Sequence, residues 1–329
     1  MWKLISLLTR NLVVAIPVAM LFGFAYGVWA PTDWLRTLIV PMTFLMVYPM
    51  MVNLKIGAVL EGGDAPLQLA AQAINFGIIP FVALGLGAVF FADQPYLALG
   101  LLLAALLPTS GMTISWTGFA AGNVPAAVKM TVLGLLLGSL ATPFYVSHLM
   151  GAKVSIDLGA VFTQIVLIVL LPMLAGQITR KLLVRRFGQP AFQKTWGPRF
   201  PPLSTLGVLG VAFIAIALQA RALLAQPAEL LHLVPPLLCL YGINYALSTA
   251  VARAFFSRGD AIALVYGTVM RNLSIALALA MNVFGAEGAQ TALLIALAYV
   301  VQVQSAAWYV RLGDRFFGPK PESAPAAGA

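Results

Sequence analysis

The sequence predicts an all-α membrane protein with ten transmembrane helices arranged as two inverted five-helix repeats. Three observations carry that expectation. The 329 residues are 61% hydrophobic and only 9% charged, with a mean hydropathy of +0.95, whereas soluble domains run near a quarter charged. The apolar residues fall into ten runs of membrane-spanning length. Two polar-interrupted segments, about half a chain apart, are alike.

A spanning helix needs about 20 mostly apolar residues. With Pro, Gly and charged residues as breaks, the spans are 11–29, 35–54, 67–91, 95–121, 124–148, 158–180, 203–223, 230–252, 260–284 and 288–311. The first has too long an apolar run for a signal peptide and no convincing small-x-small cleavage site before Trp34, so it is expected to be a true span. In the second, Tyr48-Pro49-Met50-Met51 predicts a bend. The third holds Gln72 and Asn75, and the fourth is interrupted at Pro108. Lys129 falls in the first turns of the fifth, and the sixth runs into Arg180, Lys181, Arg185 and Arg186. The eighth contains Asn244 and the single cysteine, Cys239, expected to be a buried apolar thiol. The ninth contains Arg271, and the tenth a polar stretch of Gln302, Gln304 and Ser305. Trp29, Trp34 and Trp308 suit interfacial belts. No connection is long enough for a soluble domain, so 1–317 reads as one polytopic unit, repeat 1 covering about 1–150 and repeat 2 about 151–317. The Pro/Ala-rich segment 318–329 is expected to be a disordered cytoplasmic tail.

One cysteine excludes a disulfide framework and a multi-cysteine metal centre. The net charge of +9 is a topology signal. Ten spans place both termini and the even-numbered loops on one side, which collects 14 basic residues: Lys3, Arg10, Lys55, Arg180, Lys181, Arg185, Arg186, Lys194, Arg199, Arg253, Arg258, Arg311, Arg315 and Lys320. The other side holds Arg36, Lys153 and Arg221. That bias predicts cytoplasmic termini in a cell (inner) membrane. A nucleic-acid footprint would need a basic face on a soluble module, and there is none.

The like segments are PTSGMTISWTGFAAGNVPAAV, from Pro108, and RNLSIALALAMNVFGAEGAQTA, from Arg271. Setting Gly122 against Gly285 offsets them by 163 residues, with Pro108 opposite Arg271 and Thr109 opposite Asn272. Five spans per half then insert in opposite orientations, a pattern of secondary transporters. Chance similarity between Ala/Leu-rich helices is the bland alternative. Helix breaks are expected at Pro108 and Gly111 in span 4 and at Gly267 in span 9. Unwound backbone is tolerated at membrane depth only inside protein or around a cavity, so paired breaks point to a transport site. Tightly packed kinked helices are the other reading.

Arg271 is the one charge well inside a span, and all ten acidic residues fall in loops or at span ends. An intramembrane arginine costs several kcal/mol unless paired, and such residues mark pathways or binding sites. Its expected partner is an anionic substrate, Asn and Gln side chains or, in the structural alternative, backbone carbonyls at a helix crossing. The candidate substrate-binding residues are Arg271, Asn272, Thr109, Ser110, Thr268 and Ser274. Thr113 and Thr131 are candidate ion-binding hydroxyls, with Na⁺ or H⁺ the coupling ions to consider. No metal centre, cofactor or catalytic residue is expected, since a hydrolase would need a base beside its serine.

The runs PTSGMTISWTGFAAGN, RNLSIALALA and VPMTFLMVYPMMVNLKIG resemble the bile acid:sodium symporter superfamily. YPMM, and RN leading an alternating Ala/Leu helix, are most similar to its arsenite-efflux (arsenical-resistance) branch. The resemblance implies a panel domain and a core domain, with broken helices 4 and 9 crossing in the core and alternating access between the two. It also implies organic anions carried with sodium, or trivalent arsenic and antimony expelled.

Departures at four positions qualify it. The metalloid-binding cysteine of the arsenite branch falls at Thr109, and its glutamate after the RN pair falls at Ser274. The glutamate and glutamine of the sodium symporters fall at Gly267 and Arg271. Thr113 and Thr131 remain where that branch uses hydroxyl ligands. The expected function is therefore secondary transport of a small anion or oxyacid. Arsenite/antimonite efflux and sodium-coupled import of a bile-acid-like organic anion are the alternatives.

Overall fold

The computed structural model describes residues 11–54, 57, 63–151, 158–225, 228–284 and 287–319. The expected tail from 320 onward, and Lys3, Arg10, Lys55, Lys153 and Lys320, lie outside the described residues. The described chain is helical and carries no strand. Helix α1 is Leu12–Trp29, and α2 is Ile39–Asn53, entered through the 3₁₀ turn Asp33–Leu38. Helix α3 is Ala65–Phe90, with a π-helical segment over Ala73–Ile78. Then come α4 (Pro95–Leu106), α5 (Gly111–Phe119) and α6 (Val124–Met150). Helix α7 runs over 158–187, and short turns lead into α8, Phe200–Ala225. The rest are α9 (Ala228–Phe255), α10 (Arg258–Val269), α11 (Leu273–Val283) and α12 (Gly288–Phe317).

Helical structure thus occurs at each of the ten expected positions. Among the described residues six helices are long and apolar enough to cross a membrane: Asp33–Asn53, Ala65–Phe90, Val124–Met150, Gln189–Leu218, Leu231–Phe255 and Gly288–Phe317. Val14–Trp29, Pro95–Leu106 and Leu273–Val283 are shorter apolar helices. Large apolar side chains stay exposed on the outer helices, Leu21, Phe22 and Trp29 on α1 and Val40 and Phe44 on α2. Such a surface suits hydrocarbon and not water. Cys239 belongs to it as well: the thiol is exposed, not buried as the composition of its helix suggests.

The helices pack in two groups. Helices α1, α2, α7 and α8 form one; α3 to α6 and α9 to α12 form the other, with α8, α11 and α12 making the main contacts between groups. Gly23 and Gly27 let α1 approach α8, since a Cβ on either would meet the backbone oxygen of Phe213 or Ala217 at 2.5 and 2.2 Å. That is the small-xxx-small device of helix pairs in lipid. In the second group α4, α10 and α11 are buried almost throughout. The interrupted helices are therefore wrapped by intact ones, as unpaired backbone polar groups require.

Candidate functional site

The first interruption follows from local chemistry. Pro108 has no N–H and forces Leu107 out of helical geometry, at φ −100° and ψ 84°. Thr109 then takes φ +62°, the left-handed region. Ser110 restarts the chain as α5 through a capping box. Its Oγ accepts from the Met112 N–H at 3.2 Å, and Thr113 Oγ1 accepts from the Ser110 N–H at 3.2 Å.

The second interruption contains neither Pro nor Gly. Helix α10 runs through Gly267 and Thr268 to Val269, so the break lies at Met270–Asn272 and not at Gly267 as expected. Gly267 instead lies against α6, where a Cβ would meet the Met130 sulfur at 2.4 Å. Asn272 caps α11, its Oδ1 accepting from the Ile275 N–H at 3.3 Å. Gln302 of α12 holds the break open. Its Oε1 accepts from the Arg271 N–H at 2.8 Å, and its Nε2 donates to the Arg271 carbonyl at 3.2 Å. Tyr241 of α9 donates to the same Oε1 at 2.9 Å. One glutamine amide thus satisfies both backbone groups of Arg271, while Asn75 and Asn244 donate to the Gly267 and Thr268 carbonyls at 3.1 and 2.9 Å.

The two interruptions touch. Pro108 and Arg271 form an isolated antiparallel bridge, and the Asn272 N–H donates to the Leu107 carbonyl at 2.7 Å. Thr113 Oγ1 donates across to the Met270 carbonyl at 3.5 Å. At this crossing the Arg271 side chain is 2% exposed, and Nη1 and Nη2 have no hydrogen-bond partner. A guanidinium is charged at neutral pH and carries five N–H donors. Two of its three nitrogens are therefore aimed into the protein with donors to spare.

Pro108, Thr109, Ser110, Thr113, Arg271 and Asn272 all meet at the crossing, but most of their polar atoms are occupied by backbone. Thr109 Oγ1 faces the carbonyls of Pro108 (2.7 Å), Met130 and Thr131 (both 3.3 Å), turning towards α6. Thr131 donates to Ala127 within its own helix at 2.8 Å. Thr268 Oγ1 pairs with Ser248 Oγ at 2.6 Å and with carbonyls of its own helix, and Ser274 Oγ pairs with the Tyr299 hydroxyl. Gln302 was legible only as part of a polar stretch, and Tyr241 carried no signal in the sequence.

A second charge is buried too. Lys129 Nζ lies 2.7 Å from Asp64 Oδ1, with side chains 8% and 17% exposed. Gln68 Nε2 donates to Asp64 Oδ2 at 2.7 Å and to the Ala126 carbonyl at 3.2 Å. Unlike Arg271, Lys129 is matched by a carboxylate. No group of His, Cys, Asp or Glu among the described residues could hold a metal ion.

Comparison with known proteins supplies the remaining context. The chain is 26% identical over 210 residues to arsenical-resistance protein Acr3 of Alkaliphilus metalliredigens, covering 60% of this chain and 58% of that protein. It is 22% identical over 272 residues to the Acr3 of Corynebacterium glutamicum, covering 75% and 70%. To the uncharacterized sodium-dependent transporter YocS of Bacillus subtilis it is 26% identical over 277 residues, covering 78% and 82%. The profile of the Sodium Bile acid symporter family matches residues 40–226. A run of apolar helices and this match describe a multi-pass membrane protein, and the chain belongs to the Sodium Bile acid symporter family.

Proposed function

We propose that this protein is a secondary transporter that moves a small anion or oxyacid across the cell membrane by alternating access. One observation carries the reading: a buried guanidinium with unpartnered Nη1 and Nη2 at the contact of two interrupted helices. Left unmatched, a cation at that depth costs several kcal/mol, and a bound anion removes the cost. Arg271 neutralises the substrate, while Gln302 and Tyr241 hold the backbone that presents it. Asn272, Thr109, Ser110, Thr113, Thr268 and Ser274 shape and brace the site, chiefly through backbone contacts.

Ten crossings as two inverted repeats frame this mechanism, with both termini cytoplasmic. The helix bounds support the repeat. Shifted by 163 residues, Pro95–Leu106 becomes 258–269, the bounds of α10. Helices α1, α2, α7 and α8 would be the panel, and the remaining helices the core that carries the crossing.

The names of the relatives keep arsenite efflux and sodium-coupled import in view. For arsenite, Thr109 supplies a hydroxyl in place of a thiol, and it is already turned to carbonyls of α6. Cys239 is exposed on α9. A soft-ligand site is thus not assembled at the crossing. The test is a thermal-stability panel of small carboxylates, sulfate and arsenite, with and without Na⁺, on wild type and Arg271→Gln. Stabilisation by an anion that disappears in the variant, with insertion and expression intact, is the expected result. Stabilisation by Na⁺ alone, or an anion effect unchanged in Arg271→Gln, would sink the reading.

A further inference from the structure

The charges at the crossing do not sum to zero. Lys129 is matched by Asp64, and Arg258 by Asp314 at 2.7 Å. Asp33, Asp64, Asp93, Asp260, Glu287 and Asp314 all keep some exposure, and among the described residues no carboxylate lies within ion-pair distance of Arg271. We infer, resting on the anion reading above, that the protein is a sodium-independent exchanger of small monocarboxylates, in which Arg271 supplies the fixed positive charge that a coupling cation would otherwise bring.

Three steps lead there. The planar guanidinium fork, with Nη1 and Nη2 both unpartnered, matches the two oxygens of one carboxylate. A single fixed charge is neutralised by a monoanion, whereas a dianion leaves the buried site negative. A second cation close to the guanidinium is repelled strongly in a medium of low dielectric, so sodium is disfavoured where the substrate sits.

Exchange follows from the same arithmetic. With a monocarboxylate bound, the crossing is neutral and can change its access at little electrostatic cost. Empty, it must move an uncompensated charge through the membrane field and the apolar packing around α4, α10 and α11. Return of the empty carrier is therefore slow, and release of one anion is followed by capture of another.

The test uses the full chain in proteoliposomes, with [¹⁴C]lactate as probe and vesicles loaded with either lactate or sulfate. Uptake should be at least tenfold faster into lactate-loaded vesicles, since an extra barrier of only about 1.4 kcal/mol for the empty carrier already gives that factor. Replacing Na⁺ by choline should leave it unchanged. An imposed membrane potential should alter uptake into sulfate-loaded vesicles but not the exchange. Arg271→Lys should still exchange, at weaker apparent affinity, which keeps the charge argument testable if Arg271→Gln fails to fold. Uptake driven into sulfate-loaded vesicles by a sodium gradient, as fast as exchange, would overturn the inference. So would lactate-induced thermal stabilisation without flux in either mode, an outcome that leaves the anion site standing. Absence of stabilisation by lactate and every other anion in the panel would remove the anion reading itself.

Discussion

Pro108 and Arg271, 163 residues apart, face each other as an antiparallel backbone bridge where two interrupted helices meet. They are also the residues that an offset of 163 sets opposite one another when the two like segments are aligned. A proline without an N–H creates one break, and a glutamine from a third helix sustains the other. The two halves therefore reach similar geometry by different local chemistry, and their most vulnerable points differ accordingly.

Gln302 is the first such point. Replacing it with Ala leaves the N–H and carbonyl of Arg271 unpaired in the interior, along with the Tyr241 hydroxyl. An unsatisfied buried polar group costs about 1–3 kcal/mol, so Gln302→Ala should show a clear loss of thermal stability and, if the proposed anion is the substrate, a raised KM for it. Tyr241→Phe removes only the outer donor and should shift both values much less. Equal effects of the two variants in a melting assay would argue against the backbone clamp.

Thr113 joins the two breaks through one hydroxyl, accepting from the Ser110 N–H and donating to the Met270 carbonyl. Thr113→Val keeps the shape and loses both bonds, and should destabilise by about 1–3 kcal/mol. Thr113→Ser keeps the hydroxyl and should stay near wild type. Unfolding of the purified protein in mild detergent distinguishes them.

Gly134 leaves room for Thr109. A Cβ at that position would lie 2.4 Å from Thr109 Oγ1 and 3.3 Å from the Pro108 carbonyl. Gly134→Ala should therefore push the first break away from α6 and lower both stability and transport. Thr109→Gly removes the clashing atoms and suits φ +62°, so the double variant should recover most of the lost stability. Additive losses in that double-mutant cycle would count against direct contact.

Asp64 and Lys129 tie the start of α3 to α6. Lys129 is buried and Asp64 partly exposed, so removing one partner should cost somewhat less than the about 3–5 kcal/mol of a fully buried pair, whereas apolar replacement of both is often tolerated. Asp64→Leu and Lys129→Met should each destabilise strongly, and the two together much less. The same variants should leave anion selectivity unchanged, because the pair is already neutral. A change in the order of preferred anions would show that Lys129 reports on the transport site.

Much of this molecule was legible before any coordinates. Helix positions follow hydropathy along the chain, and the break at Pro108 follows from one missing N–H, both local properties. By the same local logic glycine is the usual cause of a break, and Gly267 predicts the second one. It lies at Met270–Asn272 because Gln302, from α12, and Asn272, as a cap, satisfy the backbone there. A partner reached across 31 residues leaves no local trace.

The amino-acid sequence by itself determined an all-helical, membrane-embedded chain, the two like segments, and a single arginine within an otherwise apolar stretch, because each depends on composition and short-range chemistry. Tertiary structure decided which polar groups remain available. Packing turns Thr109, Thr131, Thr268 and Ser274 to backbone or side-chain partners, pairs Lys129 with Asp64, and leaves the Arg271 guanidinium with unused donors. In an interior that cannot offer water, a polar side chain takes whichever partner the neighbouring helix brings within reach, and that choice is made only when the helices cross.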